Sequence, residues 1–258
     1  MMMKMNKLFI PCVIVLCVSC GSSQDYLRDI PRSKRKALVV LNFKNNTPKS
    51  RALEYQPWEF GLASMVMTDI EAIGMFNIIG KERLKDVMKE QEFQLSGMVN
   101  PDDITRLGKL TGANYILTGS FMEMNGQLRL ESQVFSVEKG AQLGTASVTG
   151  QTGSFFDLEK RLVVKTTEYL DAMLTNQEQM QIAKKVETKS VAASLSNYRG
   201  ELAVMEAEEL KGRGKEEEAK KYIQEAKQSF EKAIQIDPEY EKAKKNLSKI
   251  SLAIPVTL

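Results

Sequence analysis

Two short apolar runs, set far apart and joined by helical pattern, restrict the fold of this chain more than any other feature. The first is Ala37-Leu38-Val39-Val40-Leu41-Asn42-Phe43, closed by Lys44-Asn45-Asn46-Thr47. The second is Gly112-Ala113-Asn114-Tyr115-Ile116-Leu117-Thr118-Gly119. Both are rich in β-branched and aromatic residues and bounded by turn formers, the pattern of a buried strand. Two buried strands joined through helices imply neighbours in one sheet with helices on its faces.

The pattern between and after these runs predicts the remaining elements. Trp58, Leu62, Met65, Val66, Ile70 and Ile73 recur at helical spacing, and Gly74 ends that helix. Lys44 to Gln56 reads as a loop, and Phe76 to Gly80 as a short strand. A charged helix is predicted over Lys81 to Phe93. Another starts at Asn100-Pro101-Asp102-Asp103, with a capping residue, a first-turn proline and acids at the positive end of the dipole. Ile104, Leu107 and Leu110 are its predicted inward row, and Gly112 its stop. Asn125-Gly126 supplies both positive-φ positions of a two-residue hairpin between Phe121–Met124 and Gln127–Val137. Glu138-Lys139-Gly140 turns into a further strand, Ala141 to Gln151. Ser154 and Asp157 read as a capping box for a helix running through Leu158, Leu162, Tyr169, Leu170 and Met173. The expected class is α/β, a mixed sheet with helices packed on it in the order β-α-β-α-α-β-β-β-α, followed by an α-helical arm.

The N-terminus carries an address. Lys4 and Lys7 precede an apolar stretch, Leu8 to Val18, that is too short for a membrane span. Cys17-Val18-Ser19-Cys20-Gly21 resembles the bacterial lipobox, with Cys17 where that pattern prefers leucine. The resemblance implies that Cys20 is lipidated and becomes the first mature residue. Glycine after the cysteine implies, by likeness to lipoprotein sorting, an outer-membrane destination. Cys12 and Cys17 would leave with the signal, so the mature chain would have neither a disulfide nor a free thiol, and apolar burial must stabilise the core. Net charge is +3, or +1 once Lys4 and Lys7 are removed, which gives no basis for nucleic-acid binding. The basic run Arg32-Ser33-Lys34-Arg35-Lys36 is a solvated linker or a contact with anionic headgroups.

The residues resemble a family. Leu38-Val39-Val40-Leu41-Asn42-Phe43 with Asn45 and Thr47, and then Lys109 to Gly119, are similar to two motifs of the CsgG family, whose relatives include FlgO-type lipoproteins and the TolB N-terminal domain. The resemblance covers Lys36 to Leu174. It implies an anticodon-binding-like α/β domain on a lipid anchor, facing the periplasm and acting in envelope assembly or export. The family's channel member crosses the outer membrane with extra amphipathic hairpins, and a membrane strand needs about 9–11 alternating residues. Only the Asn125-Gly126 hairpin approaches that length, and the sheet already needs it.

From Asn176 the composition shifts to Gln, Glu, Lys and Ala. A helix is predicted from Asn197, with an interruption at Gly212-Arg213-Gly214. Ala226, Phe230, Ala233 and Pro238 match the spacing of the second half of a tetratricopeptide repeat. A long charged segment, Lys215 to Glu225, stands where that repeat has a short turn. The expected organisation is a signal peptide over 1–19, a lipid-anchored spacer over 20–35, the α/β domain over 36–175, a linker helix over 176–189 and a helical arm over 190–258.

Enzymatic chemistry finds little support. The chain has no histidine, which removes the commonest general base, the usual serine triads and most zinc sites. No phosphate-binding glycine loop occurs. Asp102-Asp103 and Glu216-Glu217-Glu218 read as a helix start and an exposed charge run, and Met65, Met67, Met122 and Met124 as core filler. No catalytic residue, metal ligand or cofactor is expected, and Cys20 is the one predicted site residue, for lipid attachment. Two functions fit: a non-catalytic lipoprotein that binds envelope proteins of a secretion, surface-fibre or flagellar system, or the subunit of an oligomeric export channel.

Overall fold

A computed structural model of the chain describes residues 27–80, 84 and 101–253. Strand β1 (Lys36–Asn45) lies between β2 (Phe76–Ile78) and β3 (Tyr115–Met124), parallel to both. β4 (Gln127–Ser136) and β5 (Ala141–Gln151) continue from β3 as an antiparallel meander, giving the order β2-β1-β3-β4-β5. The two apolar runs are therefore paired neighbours, with Leu38 opposite Tyr115 and Val40 opposite Leu117.

Helices cover the sheet unequally. On one face α2 (Pro57–Ile73) and α4 (Phe155–Tyr169) bury Leu38, Val40, Phe43, Leu117, Leu128, Leu130 and Val148, and the Trp58 and Phe155 rings stack with centroids 3.8 Å apart. On the other, α3 (Pro101–Thr111) sets Ile104 and Leu107 against Val39, Leu41, Ile116 and Phe135. The inward row of α3 is Ile104, Leu107, Gly108 and Thr111, while Leu110 is 43 % exposed. Thr111 takes the place expected of Leu110 because its hydroxyl donates to the Leu107 carbonyl, 2.9 Å away, and so can be buried. Of the helix predicted over Lys81 to Phe93, only Leu84 is described, buried in the same cluster; Asn100 also lies outside the described residues.

The family-like motif residues have local roles. The Asn45 amide accepts the Thr47 N–H at 3.0 Å and donates to the Ala52 carbonyl at 2.9 Å. The Thr47 hydroxyl accepts the Glu123 N–H at 3.1 Å. These bonds shape the connection that sequence pattern reads as a loop, and it contains α1 (Lys49–Tyr55). A Cβ at Gly119 would lie 2.3 Å from the Phe43 ring, so glycine is required where β3 passes beneath it. Asn125 and Gly126 both have positive φ, as the hairpin demands.

Three further expectations change. Met122 and Met124 are 37 % and 51 % exposed, because strand alternation turns Glu123 inward between them. Glu123 is 1 % exposed and satisfied by Arg51 at 2.7 Å and the Gly126 N–H at 2.8 Å. Ser154 caps α4 without a side-chain bond, since a 3-10 turn over Thr152–Ser154 already leads the chain in. α4 stops at Tyr169, and Met173 beyond it is 74 % exposed.

The described C-terminal part holds four helices joined by short connections: α5 (Asn176–Lys184), α6 (Val191–Gly212), α7 (Glu216–Ile236) and α8 (Glu241–Ala253). α6 begins at Val191, not Asn197, because the Ser190 hydroxyl caps it by accepting the Ala193 N–H. The charged segment from Lys215 forms the first turns of α7, where Ala219 is buried against Ala207 and Leu210. Phe230 and Ala226 pack on Ala203 of α6, and α7 ends two residues before Pro238.

Candidate functional site

The feature that joins these parts is a polar junction between the sheet domain and the C-terminal helices. It starts on α2, which is buried on two sides. Its sheet side carries the predicted apolar row. Its opposite side carries Phe60 and Gly61, and a Cβ at Gly61 would come within 2.6 Å of the Tyr198 ring of α6. Tyr198 is fully buried, and it and Leu195 belong to the main core. The first helix of the arm is thus a layer of the domain.

Around Tyr198 the polar groups are satisfied in pairs. Its hydroxyl lies 3.0 Å from the Lys242 amine and 3.4 Å from Glu187, and Lys242 also sits 4.5 Å over its ring. Tyr240 donates to the same Glu187 carboxylate at 3.4 Å. Asn246 bridges Asn197 and Glu201 at 3.1 and 3.0 Å. Burial, then the nearby Glu187 charge, pushes the hydroxyls of Tyr198 and Tyr240 well up, so both remain protonated donors.

Beneath this layer lies a buried charge cluster. Lys160 of α4 is 2.5 Å from the Asp69 carboxylate of α2 and 3.1 Å from Glu159. Glu159 is 0 % exposed, and neither of its oxygens has a well-oriented hydrogen bond. Burial, reinforced by the Asp69 charge, pushes Glu159 up to about 8. Burial also raises Asp69, against the pull of Lys160. For Lys160, burial alone would favour the neutral amine, but the Glu159 and Asp69 charges outweigh it and hold the proton on. At neutral pH the two carboxyls therefore keep one proton between them beside a charged lysine. A cleft of about 260 Å³ reaches Asp69 and Lys160 from outside, rimmed by Met65, Phe156, Lys185 and Glu187. Sequence reasoning missed this cluster, because Glu159-Lys160 reads as an ordinary charged pair on a helix. The signal the sequence did contain was a lone acid, Asp69, on the apolar face of α2.

Cys20, the predicted lipid site, lies outside the described residues. The segment that follows is held to the domain from Leu27 onward. Leu27 and Arg28 donate their backbone N–H groups to Ala72 and Ile73. The Arg28 guanidinium forks onto Glu178 at 2.6 and 2.9 Å and donates to the Met173 carbonyl at 2.7 Å. The hydrogen bonds from Arg28 hold the Glu178 carboxyl down at about 2. Within the stretch expected as a lipid-anchored spacer, 20–35, Leu27 and Arg28 are thus attached to the domain. Among the described residues no helix is long and apolar enough to cross a membrane.

The model of the family described as curli production assembly/transport component CsgG matches residues 22–210. This chain belongs to the CsgG family. The match passes well beyond Leu174, where the motif resemblance stops, and ends inside α6, the helix that completes the core. In this CsgG-family chain, α7 and α8 lie outside the matched region. No curated protein matches the chain. Among solved structures, the LpoB C-terminal domain from Escherichia coli is 16 % identical, with 45 % of this chain and 83 % of that one covered and a TM-score of 0.34. Lipoprotein GNA1162 from Neisseria meningitidis is 17 % identical, with 54 % and 99 % covered and a TM-score of 0.38. The PelC dodecamer from Paraburkholderia phytofirmans, space group P6, is 16 % identical, with 55 % and 91 % covered and a TM-score of 0.33.

Proposed function

We propose that this CsgG-family chain is a non-catalytic outer-membrane lipoprotein, facing the periplasm and binding partner proteins of an envelope secretion, surface-fibre or flagellar system. The observation that carries the reading is the family match over residues 22–210, which starts two residues after the lipobox cysteine. Acylation of Cys20 supplies the anchor. Six residues lie between Cys20 and the docked Leu27, so the seven steps of chain keep Leu27 within about 25 Å of the lipidated residue. A short tether favours a fixed orientation at the membrane over a long-reach search for partners. With α6 packed into the core, α7 and α8 are the outward part of the arm and its docking surface. The polar junction holds that surface in one attitude to the sheet.

The second reading, an export-channel subunit, is motivated by the transport role in the family's description. Against it, β3, β4 and β5 are each paired along their length in one sheet, and β3 and β4 meet through a two-residue turn. Cys20→Ala tests the primary reading: it abolishes palmitate labelling and releases the protein from membranes. Unchanged membrane retention refutes the anchor. Rings in detergent extracts that conduct ions across planar bilayers would establish the channel instead.

A further inference from the structure

The sheet ends unequally. β2 closes one side with three residues, and β5 closes the other with eleven, Ala-Gln-Leu-Gly-Thr-Ala-Ser-Val-Thr-Gly-Gln. None of the eleven is charged and none is proline. Exposed edges are ordinarily blunted by lysine, proline, a bulge or a covering element, because their unpaired N–H and C=O groups accept another strand. The register irregularity of β5 lies opposite Val134/Phe135; from Gly144 to Gln151 the pairing with β4 is continuous.

Hydrogen-bond direction shows which groups are offered. Thr152 donates to the Gly126 carbonyl, so the residues of β5 in phase with it point toward β4. Thr145, Ser147, Thr149 and Gln151 alternate with them and turn their backbone groups outward. Among the described residues, the group that reaches this outer row is the Lys165 amine of α4, 3.2 Å from the Ser147 carbonyl. Among the described residues, Lys165 is thus a movable guard of the edge.

We propose that β5 pairs antiparallel with β5 of a second copy, about a two-fold axis at Thr149, to make one continuous sheet. The strand's composition selects this occupant. A two-fold axis sets residues against their own kind, and a strand without charge meets no repulsion there. The axis at Thr149 pairs Thr149 with itself and Ser147 with Gln151, polar side chains that hydrogen-bond across strands. The flanking helix matches too. α4 runs antiparallel to β5, with Leu158 at Gly150 and Tyr169 at Gly144. Its exposed stripe Asp157, Arg161 and Lys165 borders the edge, and the same axis turns Asp157 of one copy toward Lys165 of the other. Lys165 leaves the Ser147 carbonyl and takes a carboxylate, so the guard of the single copy becomes a contact of the pair.

Sedimentation of the full chain in mild detergent tests this. The expected result is a monomer–dimer equilibrium between about 1 and 100 µM. Thr149→Lys, at an exposed position, puts two ammonium groups on the axis and weakens pairing by roughly tenfold or more. Asp157→Lys weakens it as well, and adding Lys165→Asp to that variant restores it. Thr149→Cys gives disulfide-linked dimers on oxidation, the three native cysteines all lying at or before residue 20. A wild-type monomer across this range, or oligomers indifferent to Thr149→Lys, overturns the proposal.

Discussion

Replacing Glu159 by glutamine removes an ionisable group from the centre of the molecule while keeping its volume. The carboxyl moves from an ordinary value of 4.5 to about 8 on folding. A raised carboxyl favours the folded state fully below its unfolded value, and this advantage is lost as pH rises toward the folded value. Between pH 5 and pH 7 the unfolded chain has released this proton while the folded chain still holds it. Each pH unit then costs about 1.4 kcal/mol, and the interval costs about 2–3 kcal/mol. Burial raises Asp69 too, which adds slope of the same sign. Urea unfolding at pH 5, 6 and 7 measures the effect. The wild-type midpoint should fall by about 1 M over the interval, and Glu159→Gln should lose most of that fall. Parallel midpoints for the two proteins would show that Glu159 is ionised in the folded state and that the shared-proton account is wrong.

Other substitutions probe the remaining contacts. Gly61→Val drives a side chain into the Tyr198 ring and should cost about 2 kcal/mol or more, read as a lower thermal midpoint; an unchanged midpoint would mean α6 is not packed there. Arg51→Ala leaves the Glu123 carboxylate buried without its cationic partner and should cost about 1–3 kcal/mol, less when combined with Glu123→Gln. Glu178→Gln weakens the clamp on Arg28 and should speed tryptic cleavage there. Because Arg28 lowers Glu178, this clamp favours folding above the carboxyl's ordinary value and is lost as pH falls toward about 2, so its contribution persists at pH 5.

Much of the fold was legible because it rests on local pattern. The strand runs, the Asn125-Gly126 turn and the helix of Trp58 to Ile73 announce themselves through composition and period. What escaped depends on partners distant in sequence, with one local exception. Leu110 was expected inside, but a hydroxyl that bonds its own helix filled that position. Glu123 is buried between two exposed methionines because Arg51 and a turn N–H meet it, and hydrophobicity alone favours the opposite arrangement. The Asp69–Glu159–Lys160 cluster was invisible for the same reason, as α2 and α4 meet only in the folded chain. The arm's first helix reads as an appendage because its apolar face is interrupted by Ser194, Ser196 and Asn197, yet all three are buried. Truncation at Ser190 would consequently remove part of the core, and it cannot serve as a test of partner binding.

Site-specific photo-crosslinking from the outward side of the C-terminal helices, in intact cells, is the direct measurement. Tyr222 and Ile236 on α7 are 37 % and 39 % exposed and accept a photoreactive residue without entering the core. An assembly lipoprotein held close to the membrane should give an adduct with the same second envelope protein from both positions, and Cys20→Ala should abolish it. Irradiation that yields no adduct with a second protein from either position, with Cys20 acylated, would contradict the account.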